Sequence, residues 1–384
     1  IFEKKNFIYL DNACMPLRPR VVIDKVNEYY NEYPGCHGRS THQFARKVTE
    51  EFENTRVITR KFFNAKKNEE IIFTKNTTEG INLIANSLNL QPEDIILTTD
   101  KEHNSNLVPW LRLRDTKRIQ HQAIKTGKDF LNNLKQAMNN KVKLVSMVYT
   151  SNMDGTSIPA KEVIKIAHDH GALVMLDAAQ TASHREIDVK KLDVDFLVCS
   201  GHKMLGPTGT GILYGKYHLL EQLNPFIVGG DTVLNTTLEK ADYQKPPHKF
   251  EAGLQNYAGI IGLGTALQYL KKHLPKLKDH ELKLNTYITE KIKDIPGITI
   301  LGGSPKDRGG IISFYIPKID SNNLGIMLDK AYNIMTRSGA HCVHSWFNSN
   351  NLKGSLRASL HIYNTLEECE IFIKALLEIQ KRVT

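Results

Sequence analysis

Nothing in the 384-residue sequence is long and apolar enough to cross a bilayer. The longest charge-free run, residues 252–270, is broken by Gln255, Asn256, Gln268 and four glycines, short of the roughly 20 apolar residues a span needs. The opening Ile-Phe-Glu-Lys-Lys-Asn has no basic segment followed by an apolar one, so no secretory signal is read and a cytoplasmic location is expected. Cysteine is scarce. Cys14, Cys36, Cys199, Cys342 and Cys369 make an odd set with no CxxC and no Cys/His cluster at zinc spacing, which argues against a disulfide framework and a metal centre and leaves at least one thiol free. Internal repeats and low-complexity linkers are absent as well.

What is present is a globular composition. Hydrophobic residues make up 41% of the chain, enough for a substantial core, and the length suggests one large domain with a smaller companion. Lys+Arg 51 against Asp+Glu 41 gives a net charge of +10. The basic residues are scattered and do not alternate with aromatics as on a base-stacking platform, so no nucleic-acid partner is expected, only a solvated surface biased toward anionic ligands.

From residue 45 the pattern alternates helix and strand. Residues 45–64 carry a helical rhythm of Val48, Phe52, Val57, Phe62 and Phe63. Short apolar runs follow at 71–74, 95–99, 142–150, 172–176, 196–200 and 211–214, separated by helix-like stretches at 78–87, 129–138 and 160–170. Strands apolar on both faces and spaced by helices predict an α/β domain with a parallel or mixed sheet covered on both sides. After Gly264 a long helix (265–295), short strands (298–301, 310–315) and a closing helix (365–382) predict a smaller α+β domain. The expected division is 13–263 for the large domain and 1–12 with 264–384 for the small one.

Ligands on such sheets bind beyond the carboxyl ends of the strands, and the polar punctuation falls there: Asn76-Thr77-Thr78, Glu102-His103, Asp177 with Gln180, and Ser200-Gly-His202-Lys203. Lys203, among glycines beyond a buried strand, is placed to form a Schiff base with an aldehyde cofactor. Asp177 can keep a pyridinium nitrogen protonated. The Asn76–Gly80 segment opens a helix whose amides suit a phosphate, with Ser200 and His202 as further donors, and His103 can stack on a flat ring. Singly each residue is more often a cap, a core group or a surface side chain. Together, at successive strand ends, they favour a pyridoxal 5'-phosphate site.

These segments resemble fold-type I pyridoxal-phosphate enzymes of the class V aminotransferase group, and more closely the group II, Suf-type cysteine desulfurases and selenocysteine lyases. The matching pieces span nearly the whole chain: Tyr9-Leu-Asp-Asn-Ala, Thr77-Thr-Glu-Gly-Ile-Asn, Glu102-His103, Asn106-Leu-Val-Pro-Trp, Ser151-Asn152 with Gly155, Asp177-Ala-Ala-Gln180, Ser200-Gly-His-Lys, Gly229-Gly230, Phe250-Glu-Ala-Gly253, Arg337-Ser-Gly-Ala-His-Cys342 and Arg357-Ala-Ser. The resemblance implies that Lys203 carries the cofactor, Asp177 meets the ring nitrogen and Gln180 the ring hydroxyl. His103 stacks on the ring, Thr77, Thr78, Ser200 and His202 hold the phosphate, and Asn152 and Arg357 hold the substrate carboxylate. Cys342 would be the thiol that takes sulfur from L-cysteine, leaving alanine and a persulfide destined for a sulfur-acceptor protein or iron–sulfur scaffold, in a homodimer. The rival reading is selenocysteine lyase, kynureninase-like cleavage or transamination with Cys342 incidental.

The chain also departs from the pattern. Leu254 stands where a small hydroxyl residue often reaches the neighbouring subunit's phosphate, Cys14 where alanine is common, and Ala340 where a histidine often precedes His-Cys, while His37, Arg39 and His42 match only loosely and Cys36 is unassigned. The segment between Cys342 and Arg357 contains Trp346-Phe347, expected to anchor it against the body.

Overall fold

A computed structural model describes residues 7–383; the first six residues of the segment expected to join the small domain lie outside the described residues. The buried apolar runs become a seven-stranded sheet in the order Ile71–Thr74, Gly211–Gly215, Phe196–Ser200, Leu173–Asp177, Val142–Val148, Ile95–Thr99, Gln120–Ile124. The last five of these run parallel, and Gly211–Gly215 is antiparallel to both its neighbours. This is the mixed, mostly parallel sheet of fold type I. Successive side chains point to opposite faces: Val174, Leu176, Leu197 and Cys199 pack with Val48, Phe52 and Ile260 on one side, and Met175, Val198 and Leu213 pack with Ile84 and Trp110 on the other.

The long helix starts earlier than its pattern predicts, at Tyr257 rather than 265, and runs to Ile292. Its first turns hold Gly262 and Gly264. They are there for close approach: a Cβ at Gly262 would lie 2.6 Å from Val26, and one at Gly264 would lie 2.6 Å from Thr55, on the helices Arg20–Glu32 and Gln43–Phe63. The same helix serves two cores. Tyr257 to Leu277 pack against the large sheet, whereas Leu284, Ile288 and Ile292 join Ile312, Phe314, Leu356, Phe372 and Leu376 in a second cluster. That second cluster lines a four-stranded antiparallel sheet in the order Thr299–Ile300, Ile311–Tyr315, Ser355–Ser359, Arg337–Gly339. No helix among the described residues is long and apolar enough to cross a membrane.

Candidate active site

A cavity of about 820 Å³, including its open mouth, lies at the carboxyl ends of the parallel strands. It brings together Thr77, Thr78, His103, Asn152, Asp177, Gln180, Ser200, His202, Lys203 and Arg357, along with Cys14, Arg337 and His341. Cys342 is not on the cavity wall; its Sγ sits 3.7 Å from Nη2 of Arg337, which is.

The sheet supplies the chemical half of this site. Asp177 ends the strand Leu173–Asp177 and is buried, and its carboxylate receives the Ala179 amide at 2.9 Å. Burial pushes its pKa up, with Lys203 opposing the shift. Lys203 follows Phe196–Ser200 on a single tight turn. Burial lowers its pKa, Asp177 opposing, so the amine holds its proton less firmly than a surface lysine does. The Thr77 amide and hydroxyl both meet Ser200 Oγ, at 2.9 and 2.7 Å, and the helix Thr77–Ser87 is opened by Asn76, whose Oδ1 accepts the Glu79 amide. The Thr78 hydroxyl meets Ser105 Oγ at 2.7 Å. Gln180 donates to the Ala13 carbonyl at 2.7 Å. His103 caps the helix Asn104–Lys117 and His202 lies beside Lys203; burial first, then the Lys203 charge, pulls their pKa values down to about 3 and about 4. Both rings are therefore neutral near pH 7.

The smaller sheet supplies the binding half. Arg337 and Arg357 face each other across the antiparallel pair Arg337–Gly339 and Ser355–Ser359. Like charges so placed repel, and the pair makes this wall attractive to a carboxylate. Arg357 donates to Asp11 Oδ1 at 3.0 Å and to the Asn152 carbonyl at 2.8 Å, while its Nε is buried without a partner. Asn152 Oδ1 is likewise unpartnered. Asn152 sits on a turn that Gly155 permits: its φ is +74°, and a Cβ there would meet the Arg308 carbonyl oxygen at 2.0 Å. Cys342 and His341 both take left-handed backbone, φ 60° and 50°. Hydrogen bonds on either side hold them so: Asn152 Nδ2 to the His341 carbonyl at 2.7 Å, His341 Nε2 with Ser355 Oγ at 2.9 Å, and the Asn104 amide to the Cys342 carbonyl at 2.7 Å. Beyond them the chain is not a free loop, since His344–Ser349 is helical and Phe347 is buried with Met153, Leu301 and Val343.

Sequence reasoning missed Asp11 as the partner of Arg357 and Glu102 as the buried group that ties the strand ends at Thr99 and Val148 to Asn106. Glu102 receives the Val148 and Thr99 amides, the Thr99 hydroxyl and the Asn106 amide, and burial raises its pKa to about 7. An acidic residue next to His103 at a strand end was the available signal. Leu254 is 67% exposed and lines a different cavity.

A recessed amine with lowered proton affinity, a buried carboxylate with one backbone donor, a helix opening beside Ser200 and an unpaired guanidinium nitrogen fit a phosphorylated pyridine aldehyde carrying an amino acid. The chain belongs to the aminotransferase class-V family, whose model matches residues 8–372, and its cofactor is pyridoxal 5'-phosphate. Within that family it is similar to proteins named as cysteine desulfurases. The one from Synechococcus elongatus is 37% identical over 380 residues, which are 97% of this chain and 60% of that protein. The Escherichia coli O8 enzyme is 38% identical over 382 residues, 97% of this chain and 93% of its own. The apo cysteine desulfurase of Thermococcus onnurineus NA1 superposes with a TM-score of 0.94 at 36% identity, covering 98% and 95% of the two chains.

Proposed function

We propose that this chain is a cysteine desulfurase of the group II, Suf type, which converts L-cysteine to L-alanine and leaves the sulfur as a persulfide on Cys342. The observation that carries the reading is the Cys342 thiol held by Arg337, which lines one cavity with Lys203 and Arg357. When bound, pyridoxal 5'-phosphate supplies an electron-withdrawing ring conjugated to the substrate's Cα. Lys203 holds the cofactor, and its Nζ carries the proton to and from the substrate carbon. Asp177 would hold the ring nitrogen protonated, Gln180 would meet the ring hydroxyl, Thr77, Thr78, Ser200 and His202 would hold the phosphate, and neutral His103 would stack on the ring. Arg357 and Asn152 grip the substrate carboxylate, with Arg337 adding charge on the same wall. The Cys342 thiolate attacks the substrate sulfur. The Sγ–Cβ bond breaks with its electron pair left on the carbon skeleton, which takes a proton and departs as alanine.

Residues 13–263 form the cofactor-binding domain in this reading, and 1–12 with 264–384 the domain carrying Cys342. A homodimer is supported by the projecting hairpin of Val233–Thr236 and Ala241–Tyr243, where Leu234 is 69% and Leu238 102% exposed, surfaces that a second subunit would cover. A sulfur-acceptor protein or iron–sulfur scaffold takes the product sulfur in the cytoplasm. Incubating the purified protein with L-cysteine tests the reading: one sulfur atom is added at Cys342 and alanine is released, both lost in Cys342→Ser. Formation of a keto acid with no sulfur added would overturn it.

A further inference from the structure

Cys14 has no part in that reaction, yet it lines the same cavity. Its Sγ receives Arg337 Nη1 at 3.0 Å, while Nη2 of the same guanidinium meets Cys342 Sγ at 3.7 Å. Two half-buried free thiols thus share one cation, one at each terminal nitrogen. The backbone beside Cys14 is fixed. Its amide donates to the Asp11 carbonyl at 3.2 Å, the Ala13 amide meets Ser359 Oγ at 2.9 Å, and the Ala13 carbonyl receives Gln180 at 2.7 Å. Cys342 is fixed as firmly, by the bonds to Asn152 and Asn104 on either side of it. Neither thiol is carried by a free tether. Of the remaining cysteines, Cys199 and Cys369 are fully buried, with burial pushing both thiols up, and Cys36 lies off the cavity wall.

We infer that Cys14 is a second sulfur-carrying thiol, which takes the sulfane sulfur from Cys342 across the Arg337 guanidinium. The inference rests on the desulfurase reading, because that reaction supplies the persulfide. The Cys14 thiolate attacks the outer sulfur of Cys342–S–SH. A bond forms between Cys14 Sγ and that sulfur; the bond to Cys342 Sγ breaks, its electron pair staying on Cys342 as thiolate, and the proton stays on the transferred sulfur. One thiolate and one persulfide go in and one of each comes out, so no external oxidant or reductant is needed. The negative charge passes from one Nη of Arg337 to the other, keeping its counter-ion throughout. The persulfide also lengthens the Cys342 side chain by one S–S bond of about 2 Å. Transfer to Cys14 clears Cys342 for a second substrate.

The test is a quenched time course on the wild-type holoenzyme. One equivalent of L-cysteine per site is added, thiols and persulfides are alkylated, and sulfur is located by peptide mass. Sulfur is found first on the Cys342 peptide and then, with no further cysteine, on the Cys14 peptide. With excess cysteine the sulfur held rises to two atoms per site, falling to one in Cys14→Ser, and Cys342→Ser carries none on Cys14. Sulfur confined to Cys342 at all times overturns the inference and leaves the desulfurase reading intact. So do equal labelling of Cys36, labelling of Cys14 in Cys342→Ser, and a Cys14–Cys342 disulfide formed with release of sulfide. Sulfur on no cysteine, with no alanine formed, overturns both.

Discussion

The two walls of the cavity are built on opposite principles. The wall carrying Asp177, Ser200 and Lys203 hangs from the ends of strands buried on both faces, and its backbone needs no unusual conformation at those residues. The wall carrying Arg337 and Arg357, the former hydrogen-bonded to Cys342, comes from a smaller antiparallel sheet. It places two arginines opposite each other and two successive residues, neither of them glycine, in left-handed backbone. The first wall is stable because of where it sits; the second is strained and held by bonds to its neighbours, the arrangement expected where a reactive group must be held in one orientation. In the proposed reading, cofactor chemistry rests on the unstrained wall and sulfur transfer on the strained one.

The sharpest way to separate the walls is to remove the reactive group of each. Lys203→Ala should lower alanine formation by at least about 10³-fold and lose the cofactor trapped by borohydride on that peptide. Cys342→Ser should abolish turnover while keeping the visible spectrum and its response to L-cysteine. If both variants lose the spectral response, the division between the walls is wrong.

Stability should divide in the same way. Beneath the large sheet, Arg56 is 1% exposed and holds both oxygens of Glu251 at 2.8 and 2.9 Å as well as the Ile71 carbonyl at 2.8 Å. Removing one partner of a buried pair leaves the other charge uncompensated. Arg56→Ala should therefore cost about 3–5 kcal/mol in denaturant unfolding, more than any single truncation on the strained wall. A loss under about 1 kcal/mol, the range of an exposed pair, would show that the large sheet does not depend on this anchor.

The contrast also governs how much of the molecule was legible in its sequence. Strands buried on both faces leave continuous apolar runs, so Ile71–Thr74, Ile95–Thr99 and Phe196–Ser200 were readable to the residue, and the polar residues after them marked the site. Gln120–Ile124 was not, because it is an edge strand written Gln-His-Gln-Ala-Ile and largely exposed. Ser355–Ser359, which carries Arg357, is wholly buried yet reads Ser-Leu-Arg-Ala-Ser; Arg357 bonds Asp11 and Asn152 and Ser359 bonds the Leu10 carbonyl, partners far away in the chain that no local pattern reveals. Cys342 was found by its motif. That Cys14 would meet it at Arg337, 323 residues along the chain from Cys14, was invisible until the fold placed them together.

Acid tests the strained wall by a route that the large sheet's anchor leaves untouched. His341 is 3% exposed, and burial, then the charges of Arg357 and Arg337, lower its pKa from 6.5 to about 2. The unfolded chain therefore binds a proton that the folded one refuses. The stability this residue contributes is complete above pH 6.5 and is lost as pH falls toward 2, amounting to about 2 kcal/mol by pH 5. His341→Asn, which keeps a residue tolerant of left-handed backbone, should shrink the difference in unfolding free energy between pH 7 and pH 5 by about that amount. An unchanged difference would mean that His341 titrates normally.

The smallest effect isolates the strain itself. Cys342→Ala and Cys342→Gly both remove the thiol, so neither forms the persulfide and activity cannot distinguish them. They differ in backbone alone. At most positions glycine is the less stable of the two, by roughly 0.5–1 kcal/mol, because it has more freedom to lose on folding. At φ 60° the order reverses, since a Cβ there crowds the following carbonyl at a cost of about 1–2 kcal/mol that glycine does not bear. Cys342→Gly should therefore unfold at higher denaturant than Cys342→Ala, by about 1 kcal/mol after the two terms offset. The same pair of changes at Cys199, in the middle of the buried strand Phe196–Ser200, should give the ordinary order, alanine above glycine. If the two sites rank alike, the segment carrying Cys342 bears no strain, and the hydrogen bonds from Asn152 and Asn104 are holding a conformation that the chain adopts unaided.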